Sequence, residues 1–240
     1  VIPLEAVPLV AAFATWAFTM RLAAGVELER PDRDARDTGS AADRAAADVV
    51  VTTSPPLGHK VAQIIATGDR AWFAGVSHQV YGVEADATCR RAACSPPAAA
   101  CTCGFYAYAD EADAVDLGTR LSRHPVRYHA LLEVELTGDV LTFDRGFRGA
   151  RQRVLRVEVD PWCHRCAHRG RRRHAEALGA DSRDRRRQLW CDARPRALAS
   201  LPAGSAPIRP LCDRHLAGAS RVLRPVDVAG LLGTEVRWRA

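Results

Sequence analysis

Eight cysteines, seven of them in two groups with short internal spacings, constrain this chain more than any other feature of its 240 residues. One group is Cys163-His164-Arg165-Cys166 together with Cys212-Asp213-Arg214-His215. The other is Cys89, Cys94, Cys101 and Cys103, four thiols within fifteen residues. An even number of cysteines admits a disulfide framework. Short internal spacings instead describe thiolate metal ligands, which belong to reducing compartments. In the first group each half is a two-ligand knuckle with two residues between ligands, and tetrahedral zinc takes three cysteines and one histidine from two such knuckles. Pro161 and Pro210 precede the knuckles and favour tight turns there. The 45 residues between them are long for a zinc ribbon and require an inserted helix or hairpin. Cys191, after Trp190, is either a substitute ligand or a buried small hydrophobe. His164, His168 and His174 are further imidazoles close in sequence.

In the second group Pro96 and Pro97 lie between the thiols, and all four can close around one ion. Cys-x-Cys is a less usual knuckle than Cys-x-x-Cys. A disulfide such as Cys89–Cys101, or simple packing, therefore stays open beside metal binding.

The amino-terminal stretch sets a second constraint. Val7–Met20 carries no charge, and Glu5 is the only charged residue among the first twenty. About 20 apolar residues cross a bilayer core, and this run is apolar all round rather than amphipathic. Trp16 and Arg21 suit a membrane interface. No basic residue precedes the run, as a secretory signal would require, and Arg21 after it orients the following chain toward the cytoplasm. The competing reading is a helix packed against the rest of the protein.

Behind this segment the texture changes twice. Glu27–Asp48 is rich in Asp, Arg and Ala and reads as a solvated linker. From residue 49 to 160 the pattern favours strands with one helix. Val61–Ile65 and Ala71–Val76 flank a turn at Thr67-Gly68-Asp69. Asp110 caps a helix whose Ala114, Leu117 and Leu121 share a face. Leu132, Val134 and Leu136 alternate with acids, Thr137-Gly138-Asp139 turns into Val140–Phe143, and Leu155, Val157 and Val159 form another alternating strand. After Pro161 the chain is rich in Cys, His and Arg and reads as a loop-rich unit closed by a short helix near Val226–Leu232. The expected architecture is α+β: a transmembrane anchor (1–26), a linker (27–48), a cysteine-bearing domain with a small antiparallel sheet and a packed helix (49–160), and a zinc-knuckle unit (161–240).

The stretch Cys101-Thr-Cys-Gly-Phe-Tyr-Ala107, with Cys89 upstream, resembles a group of mostly actinobacterial proteins of unestablished function. They share a lone Cys, a Pro-bearing gap and Cys-x-Cys-Gly-aromatic-x-Ala, followed by a strand, a turn and a Gly-aromatic-Arg segment. Leu132–Leu136, Gly138 and Gly146-Phe147-Arg148 follow that layout. The likeness spans about residues 60–157, and Cys94 and the apolar anchor depart from it. It implies a common domain and no activity.

Charge adds one candidate surface. Lys60 is the only lysine, a bias toward arginine that a GC-rich genome produces. Between Arg151 and Arg187 twelve arginines face five carboxylates, so of a net charge of +6 this block carries +7 and the rest of the chain about −1. Arg171, Arg172 and Arg173 are its densest run and the candidates for binding nucleic acid or anionic lipid. Aromatic stacking partners are nearly absent from residues 163–189, which weighs against nucleic-acid binding, and the same charge suits anionic lipid next to the anchor.

Nothing matches a phosphate-binding loop, a nucleophile elbow or a metalloprotease helix. Cys103, with His59, His78 or His129 as base, is a conceivable nucleophile or redox thiol, but three neighbouring cysteines favour a structural role. The sequence therefore predicts a non-enzymatic, membrane-anchored zinc scaffold of a bacterial cell, with its soluble part cytoplasmic, a protein partner, and no small-molecule substrate. Nucleic-acid or anionic-lipid binding and thiol redox chemistry through Cys89–Cys103 are the alternatives.

Overall fold

The computed structural model describes residues 54–76, 79–89, 94–122, 127–167, 195, 197–200 and 207–239. All of them belong to one unit, Ala46–Ala240. The expected anchor, linker, Cys191, His78, His168, His174 and Arg171–Arg173 lie outside the described residues. Among the described residues no helix is long and apolar enough to cross a membrane.

The class is mixed α+β, with few helices and a large, mainly antiparallel sheet. Strand β1 (Leu57–Thr67) turns at Gly68 into β2 (Arg70–Gly75), with Thr67 opposite Arg70, as the turn residues predict. Short strands β3 (Val80–Tyr81) and β4 (Glu84–Asp86) follow, then β5 (Phe105–Tyr108). Helix α1 (Glu111–Leu121) begins where Asp110 accepts a hydrogen bond from the Ala112 amide at 2.8 Å. Its Ala114 packs on Val61 and Leu131. Two long strands, β6 (Ala130–Phe143) and β7 (Gly146–Val159), form the backbone of the fold.

The sheet is larger than expected, eight strands, because its long members serve several partners. One edge of β7 carries β6, while its residues also pair in turn with β5, β4 and β11 (Glu235–Trp238). Strand β6 also pairs with β1, and β5 joins β1 through His59 and Tyr108, so β1, β6, β7 and β5 close a ring. The ring closes tightly at Gly146, where a β-carbon would lie 2.1 Å from the Ala107 carbonyl oxygen. Only a residue without a side chain fits there.

Two register shifts separate the observed strands from the expected ones. Thr137-Gly138-Asp139 is not a turn between strands but an irregularity inside β6, with Thr137 opposite Arg151 and Val140 opposite Gly149. Pairing to β7 resumes on both sides, so the extra residues bulge out and the strand continues. A second shift lies between Glu133 and Val134. It puts Val154 in the core at 1% exposure and leaves Leu155 half-buried, because a one-residue slip exchanges the two faces of a strand.

Beyond β7, strands β8 (Ala197–Ser200), β9 (Arg209–Leu211) and β10 (Arg221–Leu223) form a three-stranded antiparallel sheet. Helices α2 (Asp213–Leu216) and α3 (Pro225–Leu232) flank β10 in sequence. These residues were expected to form a loop-rich unit of their own from residue 161. Instead Leu198, Ile208, Leu223, Val228 and Val236 enter the same apolar cluster as Ile64, Phe73, Leu132 and Val157. Strand β11 also runs parallel to β7 in the main sheet. The main sheet has an apolar face to cover, and these segments supply the cover.

Candidate metal centres

The first centre forms where β7 ends. Its chain passes Asp160, whose amide donates to the Tyr128 hydroxyl at 2.7 Å, and enters one helical turn at 164–167. The Ala167 amide closes that turn on the Cys163 carbonyl at 3.0 Å. Residues three apart on a helical turn share a face, which brings Cys163 and Cys166 together. The second knuckle repeats the device. Cys212 is the N-cap of α2 and accepts the His215 and Leu216 amides at 2.8 and 3.1 Å.

The two knuckles converge. His215 Nδ1 lies 3.3 Å from Cys163 Sγ and 3.5 Å from both Cys166 Sγ and Cys212 Sγ. Cys166 Sγ and Cys212 Sγ are 3.8 Å apart. A tetrahedral zinc with ordinary bond lengths separates two sulfurs by about 3.8 Å and a sulfur from a nitrogen by about 3.6 Å. The donor set and its spacing can therefore hold one metal ion. The site is closed: Cys163 and Cys212 are 0% and 1% exposed, packed with Ala199 and Leu211. His164, although buried, is not in this group; its ring meets Tyr128 edge-on at 5.5 Å.

The second centre lies toward the start of β7. Cys89 follows β4, and Cys94, Cys101 and Cys103 belong to the loop before β5. Cys94 Sγ is 3.3 Å from Cys103 Sγ, and Cys89 Sγ is 3.8 Å from Cys101 Sγ. These separations exceed a disulfide bond of about 2.05 Å, and none of the seven described cysteines is in one. All four sulfurs lie within 4.8 Å of one another, so this group too can hold one ion. Hydrogen bonding to Cys103, then to Cys89, holds the Cys94 thiol well above the ordinary thiol range. Among the described residues Cys103 thus lies in a group of thiols that contains no imidazole. His129 engages Gln63 and Ser122, each at 3.4 Å.

Arg148 organises this loop and was not singled out as a site residue by the sequence. It is 3% exposed and donates to the carbonyls of Cys101 and, at 3.0 Å, Ala98. It also donates to the Tyr106 hydroxyl at 2.9 Å and faces the Tyr106 and Phe143 rings, each 5.4 Å away. Gly104, at φ 116°, makes room: a β-carbon there would come within 2.8 Å of Arg148 Cγ. The one available signal was its place in the Gly-aromatic-Arg segment of the resemblance.

A third cluster lies inside the ring of strands. Lys60 donates to Gln152 Oε1 at 2.8 Å and sits over the rings of Tyr81 and Phe105 at 4.9 and 5.1 Å. The side chain as a whole is only partly buried, but its amine end is enclosed, and burial lowers its pKa to about 7. Desolvation likewise raises the Tyr81 hydroxyl, partly offset by Gln152. An arginine at this position would stay charged, which gives a physical reason for the single lysine.

Comparison with family models, with curated proteins and with solved structures found no match. The geometry of the two cysteine groups therefore carries the functional argument. The Arg-rich block is represented only by its first members, Arg151, Arg153, Arg156 and Arg165. The three strand residues among them form ion pairs, Arg151 with Asp86, Arg153 with Glu84, and Arg156 with Glu133 and Glu158.

Proposed function

We propose that this protein is a non-enzymatic zinc scaffold that binds two ions, one at Cys163, Cys166, Cys212 and His215 and one at Cys89, Cys94, Cys101 and Cys103. The observation that carries the reading is the meeting of two distant knuckles with the separations a tetrahedral ion requires. Thiolate and imidazole donors in tetrahedral array select zinc over oxygen-seeking cations. Four protein ligands leave no open position for substrate, which is why the role is structural. In this reading the first ion pins the end of β7 to β9 and α2, and the second shapes the loop that feeds β5. The apolar segment at residues 1–26 tethers the scaffold to a membrane, with the zinc-bearing part on the cytoplasmic side, where thiols stay reduced. The scaffold's partner is another protein, met at the membrane surface.

The test is metal analysis of the full chain, purified in detergent under reducing conditions. Two equivalents of zinc per chain are expected, with all described cysteines protected from alkylation until a chelator is added. A chain without stoichiometric metal, and with freely alkylated cysteines, overturns the reading.

A further inference from the structure

The two cysteine groups differ in access and in their number of sulfurs. In the first, Cys163 and Cys212 are sealed beneath Ala199 and Leu211. In the second, all four cysteines are only half-buried, on coil outside the strands. In the second group every cysteine also has a partner sulfur close enough to reach for a disulfide. Cys94 and Cys103 need to close by about 1.3 Å, and Cys89 and Cys101 by about 1.8 Å, to reach disulfide length. The Arg148 guanidinium donates to the Cys101 carbonyl and so fixes the backbone of this loop. Partial exposure of the four cysteines is what lets an oxidant reach their sulfurs.

We propose that the four-cysteine group is a peroxide-sensitive zinc site: oxidation joins Cys94 to Cys103 and Cys89 to Cys101 and expels the ion, while the other centre keeps its own. The proposal rests on the zinc reading above. In each pair one thiolate attacks hydrogen peroxide, breaking the O–O bond to give a sulfenic acid and hydroxide, which takes up a proton. The partner thiolate then attacks the sulfenic sulfur, forming the S–S bond and releasing a second hydroxide, also protonated to water. Each pair of sulfurs thus gives two electrons to one peroxide. Over the site, four thiolates, two hydrogen peroxide molecules and four protons give two disulfides and four waters, and zinc leaves as the divalent cation. The first centre has only three sulfurs, two of them sealed, and resists.

The experiment uses the full zinc-loaded chain in detergent, titrated with hydrogen peroxide in the presence of a chromogenic chelator. Its zinc content and thiol protection are measured beforehand. The expected result is loss of one of two zinc equivalents and a mass decrease of four hydrogens. Peptide mapping should place the disulfides at Cys94–Cys103 and Cys89–Cys101, and thiol reductant plus zinc should restore the starting state. Retention of both ions, loss of both at equal rates, or first oxidation at Cys163, Cys166 or Cys212 overturns the proposal. A chain that holds one ion before any oxidant, with the four thiols of the second group already open to alkylation, overturns the zinc reading of that group itself.

Discussion

Lys60 shows how one residue couples the interior of the sheet to pH. Its ammonium is enclosed between Tyr81 and Phe105 with one hydrogen bond to Gln152, and burial lowers its pKa from 10.5 to about 7. The unfolded chain therefore binds more protons than the folded one between roughly pH 7 and 10.5. Across that window this residue makes stability rise with pH; below it the full penalty of a buried charge applies. Lys60→Met, which keeps the stem and removes the charge, should flatten the dependence by about 2 kcal/mol between pH 7 and 9. Denaturant unfolding of both forms at the two pH values measures it, and parallel pH profiles would remove Lys60 as the cause. The sequence marked this position only as the sole lysine among 34 basic residues. Its partners come from β3, β5 and β7, so periodicity within β1 had no means of naming them.

At the scale of elements, α2 depends on something other than its own sequence. It has four residues, and its N-cap is Cys212, with no side-chain cap hydrogen bond. An isolated turn of this length is far below the length at which a helix supports itself. Its stability must come from Leu211 and Cys212 in the small apolar cluster and, in the zinc reading, from the ion that ties Cys212 and His215 to Cys163 and Cys166. Removing zinc with a chelator should therefore open α2 first. Amide exchange at His215 and Leu216 should rise by at least about tenfold while β6 and β7 stay protected, since local segments open with much smaller free energies than the core. Helix α1 contrasts with this. Its cap at Asp110 and the apolar face containing Ala114 were legible in sequence because both are local. The strands β6 and β7 were legible in part: their alternation was visible, but both shifts in register were set by pairing between them.

For the whole molecule, the long strand β7 sets the distance between the two centres. Arg148, near its start, holds the four-cysteine loop, and Cys163 follows its end at Val159. The two groups share no ligand, and the apolar cluster around the first contains none of the cysteines of the second. Cys163→Ala should cost one zinc equivalent and leave the other in place, as native mass spectrometry would show. Loss of both ions from that variant would mean that the centres are coupled. Sequence alone named the Cys163–Cys166 and Cys212–His215 knuckles, because ligands three residues apart on a helical turn meet by local rules. It left Cys191 and the nearby histidines as substitutes, and the four-cysteine group open between metal, disulfide and packing. It also determined the capped helix and the turn at Gly68. Only the tertiary structure decided that the knuckle before residue 167 meets the one after residue 211, that Cys89 returns to Cys101, and that Arg148 and Lys60 matter. Those meetings are set by the register of β1, β6 and β7 and by the attachment of β9 beside Ile64. Contacts between strand ends far apart in the chain leave no periodic trace in any one segment, so they become visible only when the strands are paired.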